Sequence, residues 1–84
     1  MAVLATGQSE IGGATLNGTV TDPSGAAVAN AKVIVENTST GLTRTARTSD
    51  AGLYSFPGVP VGSYDLTVEA SGFRVVKQAG ISLT

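Results

Sequence analysis

The chain is 84 residues long and only 13% charged, with a net charge of −1 and neither cysteine nor histidine. One domain of this size buries only about 60% of its unfolded surface, and without cysteine no disulfide or thiolate metal site can supplement its core. Lack of histidine excludes Ser-His and Cys-His nucleophile pairs, histidine general bases and most zinc sites, and the near-neutral charge gives no footprint for nucleic acid or anionic lipid.

Residues 2–9 are short, small and mildly apolar, too few to span a bilayer. Two readings stand for this stretch. It is the end of a secretory signal with a cut near Gly7–Gln8, or a flexible leader; a whole signal would need a basic start and a longer apolar run. The domain organisation expected here is a flexible leader over 1–13, hinged at Gly12 and Gly13, and a folded domain over 14–84.

From Ala14 to Asp22 the chain alternates with period two. Leu16, Gly18 and Val20 share one face, and Thr15, Asn17, Thr19 and Thr21 the other, as in a half-buried strand. Asp22-Pro23-Ser24-Gly25 stops it, with Asp as the turn cap. Residues 26–31 form a small-residue connection that tucks Val28 inward. Lys32 to Thr38 is the second strand, with Val33 and Val35 facing the core. Residues 37–41 make a loop rich in turn formers. Leu42 to Ser49 follows as a strand with alternating Thr43, Thr45 and Arg47, poor in apolar residues and therefore expected at a sheet edge. Asp50-Ala51-Gly52 is a tight turn with Gly52 left-handed.

Leu53 to Phe56 is a short strand with Tyr54 and Phe56 on one face. Pro57 to Gly62 is expected to be a crossing loop, because two prolines remove ladder donors. Ser63 to Ala70 alternates most cleanly, with Tyr64, Leu66, Val68 and Ala70 inward and Asp65, Thr67 and Glu69 outward. Ser71-Gly72 turns the chain into Phe73–Gln78, and Ile81–Thr84 is a final strand that stops abruptly, as if the polypeptide continued. Seven short strands at roughly ten-residue spacing predict an all-β sandwich. The residues expected to build its core and turns are Val20, Val33, Val35, Gly52, Tyr54, Phe56, Tyr64, Leu66, Val68 and Phe73.

Taken in order, Gly18-Thr19-Val20-Thr21-Asp22, Gly25, Ala31-Lys32-Val33, Thr48 through Phe56, Pro60 through Tyr64, and Ala70-Ser71-Gly72-Phe73 resemble the carboxypeptidase regulatory-like domain. The resemblance covers residues 14–84. It implies a transthyretin-like (prealbumin-like) Greek-key sandwich of seven strands, and the version here looks most like the one placed before TonB-dependent transporter-like barrels of bacterial outer membranes. It carries over no catalytic residue and no cofactor. Purine-related hydrolases of the transthyretin fold depend on histidines that this chain lacks. The implied setting is extracytoplasmic, at the periplasm, outer membrane or cell exterior.

The remaining chemistry is sparse. Asp22 and Asp50 are expected to cap turns, and Asp65 and Glu69 to lie on a solvated face. Calcium binding would need several convergent oxygens, and no cofactor or metal is expected. A self-formed isopeptide bond would need a lysine on the first strand, which has none. Asn17-Gly18-Thr19 and Asn37-Thr38-Ser39 match the N-glycosylation pattern, Asn37 being the one that a loop would offer. The leading expectation is a non-catalytic accessory module acting in folding, spacing or protein contact, its partner being a protein or its own parent polypeptide. Two alternatives are a structural subunit that self-associates through edge strands, donating residues 1–11 to a neighbour, and a carbohydrate- or peptide-binding module. No direct membrane insertion and no nucleic-acid partner are expected.

Overall fold

The computed structural model describes residues 2–10 and 13–83, with side chains over 15–82. The described residues form seven strands and no helix: β1 (Ala2–Glu10), β2 (Gly13–Thr21), β3 (Lys32–Asn37), β4 (Thr43–Arg47), β5 (Leu53–Val59), β6 (Gly62–Glu69) and β7 (Val76–Leu83). Thr and Val are the commonest residues in them, as suits side chains that are branched at Cβ and stand off a pleated surface. One sheet has the order β1-β2-β5 and the other β4-β3-β6-β7, with every pairing antiparallel. The chain makes the β3–β4 hairpin, crosses to the first sheet as β5 beside β2, and returns as β6 on the free side of β3. That return makes the sandwich a Greek key.

Seven strands stand where seven were expected, but they are not the same seven. The stretch assigned to a flexible leader is strand β1 over Ala2–Glu10, paired residue for residue with β2 from Ala2↔Thr21 to Glu10↔Gly13. Of the supposed hinge, Gly13 already opens β2, whereas Gly12 lies outside the described residues. The two expected C-terminal strands are a single strand, β7. Its register slips between Tyr64 and Leu66 of β6, and Gly80 takes a φ of 75° there, so a bulge absorbs the residues that had read as a break. Thr84 lies outside the described residues.

Pro57, assigned to a crossing loop, lies inside β5. The strand tolerates it because β5 is an edge, and an edge position can lack its donor without losing a ladder bond. Gly58, with φ of 66°, inserts an extra residue opposite Ala14–Leu16, and the shift returns Val59 to the interior three positions after Phe56.

The core lies between the sheets. It comprises Leu16 and Val20 from β2, Val28 and Ala31 from the connection, Val33 and Val35 from β3, Tyr54, Phe56 and Val59 from β5, and Tyr64, Leu66 and Val68 from β6. The rings of Tyr54 and Phe56 meet edge-on at 6.0 Å. Phe73 does not join them. The chain turns at residues 70–73, with the Phe73 N–H bonded to the Ala70 carbonyl at 3.1 Å, and β7 begins only at Val76, so Phe73 sits past the end of the sandwich and is 39% exposed.

Candidate functional site

The polar side chains inside the sandwich hold loops. The Thr48 hydroxyl donates to the Val28 carbonyl at 2.6 Å and accepts from the Ala31 N–H at 2.8 Å. Its own backbone exchanges bonds with Ala31 and Asn30. Thr48 therefore fastens the β2–β3 connection to the β4–β5 link. Asn37 shapes the β3–β4 loop at the opposite end: its Oδ1 accepts from the N–H groups of Ser39 and Thr40, both at 2.9 Å. Asn37 is buried, with its amide beside Gly62, so the Asn37-Thr38-Ser39 triplet does not offer its amide on an open loop. Neither latch was predicted, because a polar residue in a polar stretch carries no periodic signal of burial.

The Tyr64 hydroxyl donates to the Pro60 carbonyl at 2.7 Å, tying the start of β6 to the crossover before it. A tyrosine at this corner bonded a few residues upstream is a recurring device of Greek-key sandwiches. Gly52 has φ of 75°, and a Cβ there would sit 2.6 Å from the Val20 carbonyl oxygen, which is why the turn needs glycine. Val20, Val33, Val35, Tyr54, Phe56, Tyr64, Leu66 and Val68 all lie in the core. Burial pushes the Tyr54 hydroxyl pKa up to about 12.

The carboxylates stand apart. Asp22 Oδ1 accepts from the Ser24 hydroxyl at 2.6 Å and from the Ala26 and Ser24 N–H groups. These bonds, the Ser24 hydroxyl first, hold its pKa below the usual carboxylate value. Ser49, not Asp50, caps the turn between β4 and β5: its Oγ accepts from the Ala51 and Leu53 N–H groups, because an acceptor at the first turn position faces the donors that follow. Asp65 faces outward, 3.8 Å from the Lys77 amine, and Glu36 is its cross-strand neighbour. Among the described residues, no three acidic side chains converge on a metal position.

What the sandwich does present is an unpaired seam between the edges of β4 and β5. The two edges differ. Val20 donates to Gly52 at 2.8 Å, and alternation along the ladder then turns the peptide groups of Tyr54 and Phe56 toward β2 and those of Leu53, Ser55 and Pro57 outward. The outward groups of Leu53 are taken by Ser49, through its N–H at 2.9 Å and its Oγ at 3.3 Å. Pro57 has no N–H, and the Arg44 guanidinium covers the carbonyls of Pro57 and Gly58 at 3.1 and 3.4 Å. The β5 edge is thus largely closed.

The β4 edge is open. The bonds Asn37 N–H to Leu42 carbonyl (2.8 Å) and Thr48 N–H to Ala31 carbonyl (3.0 Å) bracket its ladder with β3. Between them, Arg44 and Ala46 turn their peptide groups toward β3, and Thr43, Thr45 and Arg47 turn theirs away. Beside this edge lies a mostly apolar groove of ≈ 440 Å³, lined by Gly18, Ala46, Arg47, Leu53, Tyr54 and Ser55 among others. Leu53 is more than half exposed at its rim.

A family model described as the carboxypeptidase regulatory-like domain matches residues 15–84. No match was found among curated proteins or among solved structures.

Proposed function

The chain belongs to the carboxypeptidase regulatory-like domain family, and from that premise we propose that it is a non-catalytic accessory module, acting in folding, spacing or protein contact within an extracytoplasmic protein. One observation carries the reading. Among the described residues the buried polar side chains, Asn37 and Thr48, hold loops in place, and no buried side-chain polar atom lacks a partner. Catalytic sites hold polar groups poised for a substrate, with protonation tuned to the reaction. Here the lowered pKa of Asp22 follows from a turn cap and the raised pKa of Tyr54 from burial in the core. The resemblance to modules that precede TonB-dependent transporter-like barrels supports placing it at the bacterial outer membrane, with the parent polypeptide as its first partner.

A second reading has its own observation. The nine-residue register between β1 and β2 shows that residues 2–10 are a competent strand for the β2 edge, and β1 lies outside the segment that the family model matches. The same strand supplied by a neighbouring copy would make a swapped dimer or a filament. Light scattering on residues 1–84 and 12–84 after size exclusion separates the two. The accessory reading expects monomers of both. Large species formed by 1–84 alone overturn it in favour of strand donation.

A further inference from the structure

We propose that the β4 edge is a docking site for an extended acidic peptide segment of a partner protein, added antiparallel as a fifth strand of the β4-β3-β6-β7 sheet. This deepens the protein-contact reading above by naming the partner's chemistry, and it rests on that reading.

The backbone comes first. Thr43, Thr45 and Arg47 present outward N–H and C=O groups that no described group satisfies, along a strand with no bulge in its register. The edges of β5 and β7 are guarded. Ser49, Pro57 and Arg44 close the first, and the Gly80 bulge interrupts the second, which also carries Lys77.

Charge then selects the occupant. β4 reads Thr43-Arg44-Thr45-Ala46-Arg47, two cations and no carboxylate in a chain of net charge −1. Such an edge disfavours its own copy, because β4 against β4 gathers four arginines along one seam with no carboxylate from either strand, and a basic strand is repelled likewise. An acidic strand is favoured.

Side-chain alternation completes the pattern. Arg44 and Ala46 lie on the inward face of β4 beside the seam, while Thr43, Thr45 and Arg47 face outward. In an antiparallel partner, a side chain opposite Ala46 enters the apolar groove by Tyr54 and Leu53. The side chain two positions later lies opposite Arg44, whose guanidinium has donors left beyond those bonded to Pro57 and Gly58. The recognised pattern is therefore apolar, any residue, acidic, in an extended segment.

The probe is a blocked eight-residue peptide in which threonines alternate with valine and glutamate in turn, titrated into ¹⁵N-labelled chain of residues 1–84. The result expected is perturbation of the amides of residues 43–47 and new exchange protection at Thr45. Replacing the glutamates by lysines should weaken binding about tenfold or more. T45P removes an outward N–H without touching the β3 ladder, so it should abolish binding while leaving the melting temperature close to that of the parent. Should T45P fail to fold, R44E serves instead and should reverse the preference toward the lysine peptide. No perturbation at millimolar peptide, perturbation centred on β1 or β7, or equal binding of the two peptides overturns the proposal. A monomer that ignores the peptide sinks this docking site alone, whereas assembly through residues 1–11 sinks the accessory reading itself.

Discussion

The Tyr64 hydroxyl donates to the Pro60 carbonyl across 2.7 Å, and the bond closes the crossover through which the chain leaves the β1-β2-β5 sheet and starts β6. Its ring is simultaneously one of the largest fully buried side chains. Tyr64→Phe keeps the ring and removes the bond, so the expected loss is about 0.5–1.5 kcal/mol. At about 4–8 °C per kcal/mol for a domain of this size, a thermal melt resolves it. An unchanged melting temperature would show that the corner bond contributes nothing.

Thr48 is the more sensitive latch, because valine in its place has nearly the same shape but strands the Val28 carbonyl and the Ala31 N–H in the interior. Thr48→Val is expected to cost about 1–3 kcal/mol, and Thr48→Ser, which retains the hydroxyl, clearly less. Urea titration of both variants checks the order, and a serine variant as unstable as the valine variant contradicts the latch.

Phe56 and Phe73 look alike in the sequence and differ in the fold, one buried and the other 39% exposed. Phe56→Ala should cost about 3–5 kcal/mol. Phe73→Ala should cost under about 1.5 kcal/mol, since its ring is only partly withdrawn from water. Equal losses in a denaturant series would place Phe73 back in the core.

Two groups make stability depend on pH with opposite signs. Asp22 has a folded pKa below its ordinary 3.8 because the turn donates to its carboxylate. Its contribution is therefore present above about pH 4 and is lost as pH falls through the lowered value. Tyr54 is raised from 10.0 to about 12 by burial, so its contribution is complete below pH 10 and is lost as pH rises toward 12. Melts across pH 2–12 should show both flanks, with Asp22→Asn flattening the acid one and Tyr54→Phe the alkaline one.

Gly52→Ala combines a positive φ with a Cβ placed 2.6 Å from the Val20 oxygen. A loss of more than about 1 kcal/mol is expected, together with weakened protection of the Val20 amide, which donates to Gly52. Hydrogen exchange at that amide distinguishes a displaced turn from general destabilisation.

By itself, the sequence determined the all-β class, the inward faces of β3 and β6 and the turn at Asp22. Each follows from interactions within a few residues: the direction of successive side chains is set by the pleat, and a turn cap reaches only its own neighbours. Val33, Val35, Tyr64, Leu66 and Val68 needed nothing else to be placed. The tertiary structure decided the remainder. Residues 2–10 became a strand because β2 offered an edge. Pro57 stayed within β5 because that strand lies at the border of its sheet, and Phe73 left the core because β7 pairs only from Val76. Thr48 became a latch because the crossing chain set the carbonyl of Val28 and the N–H of Ala31 beside it, and the β4 edge stayed open because no strand among the described residues pairs with it. Each depends on residues distant in sequence coming together, which periodicity along one strand does not encode.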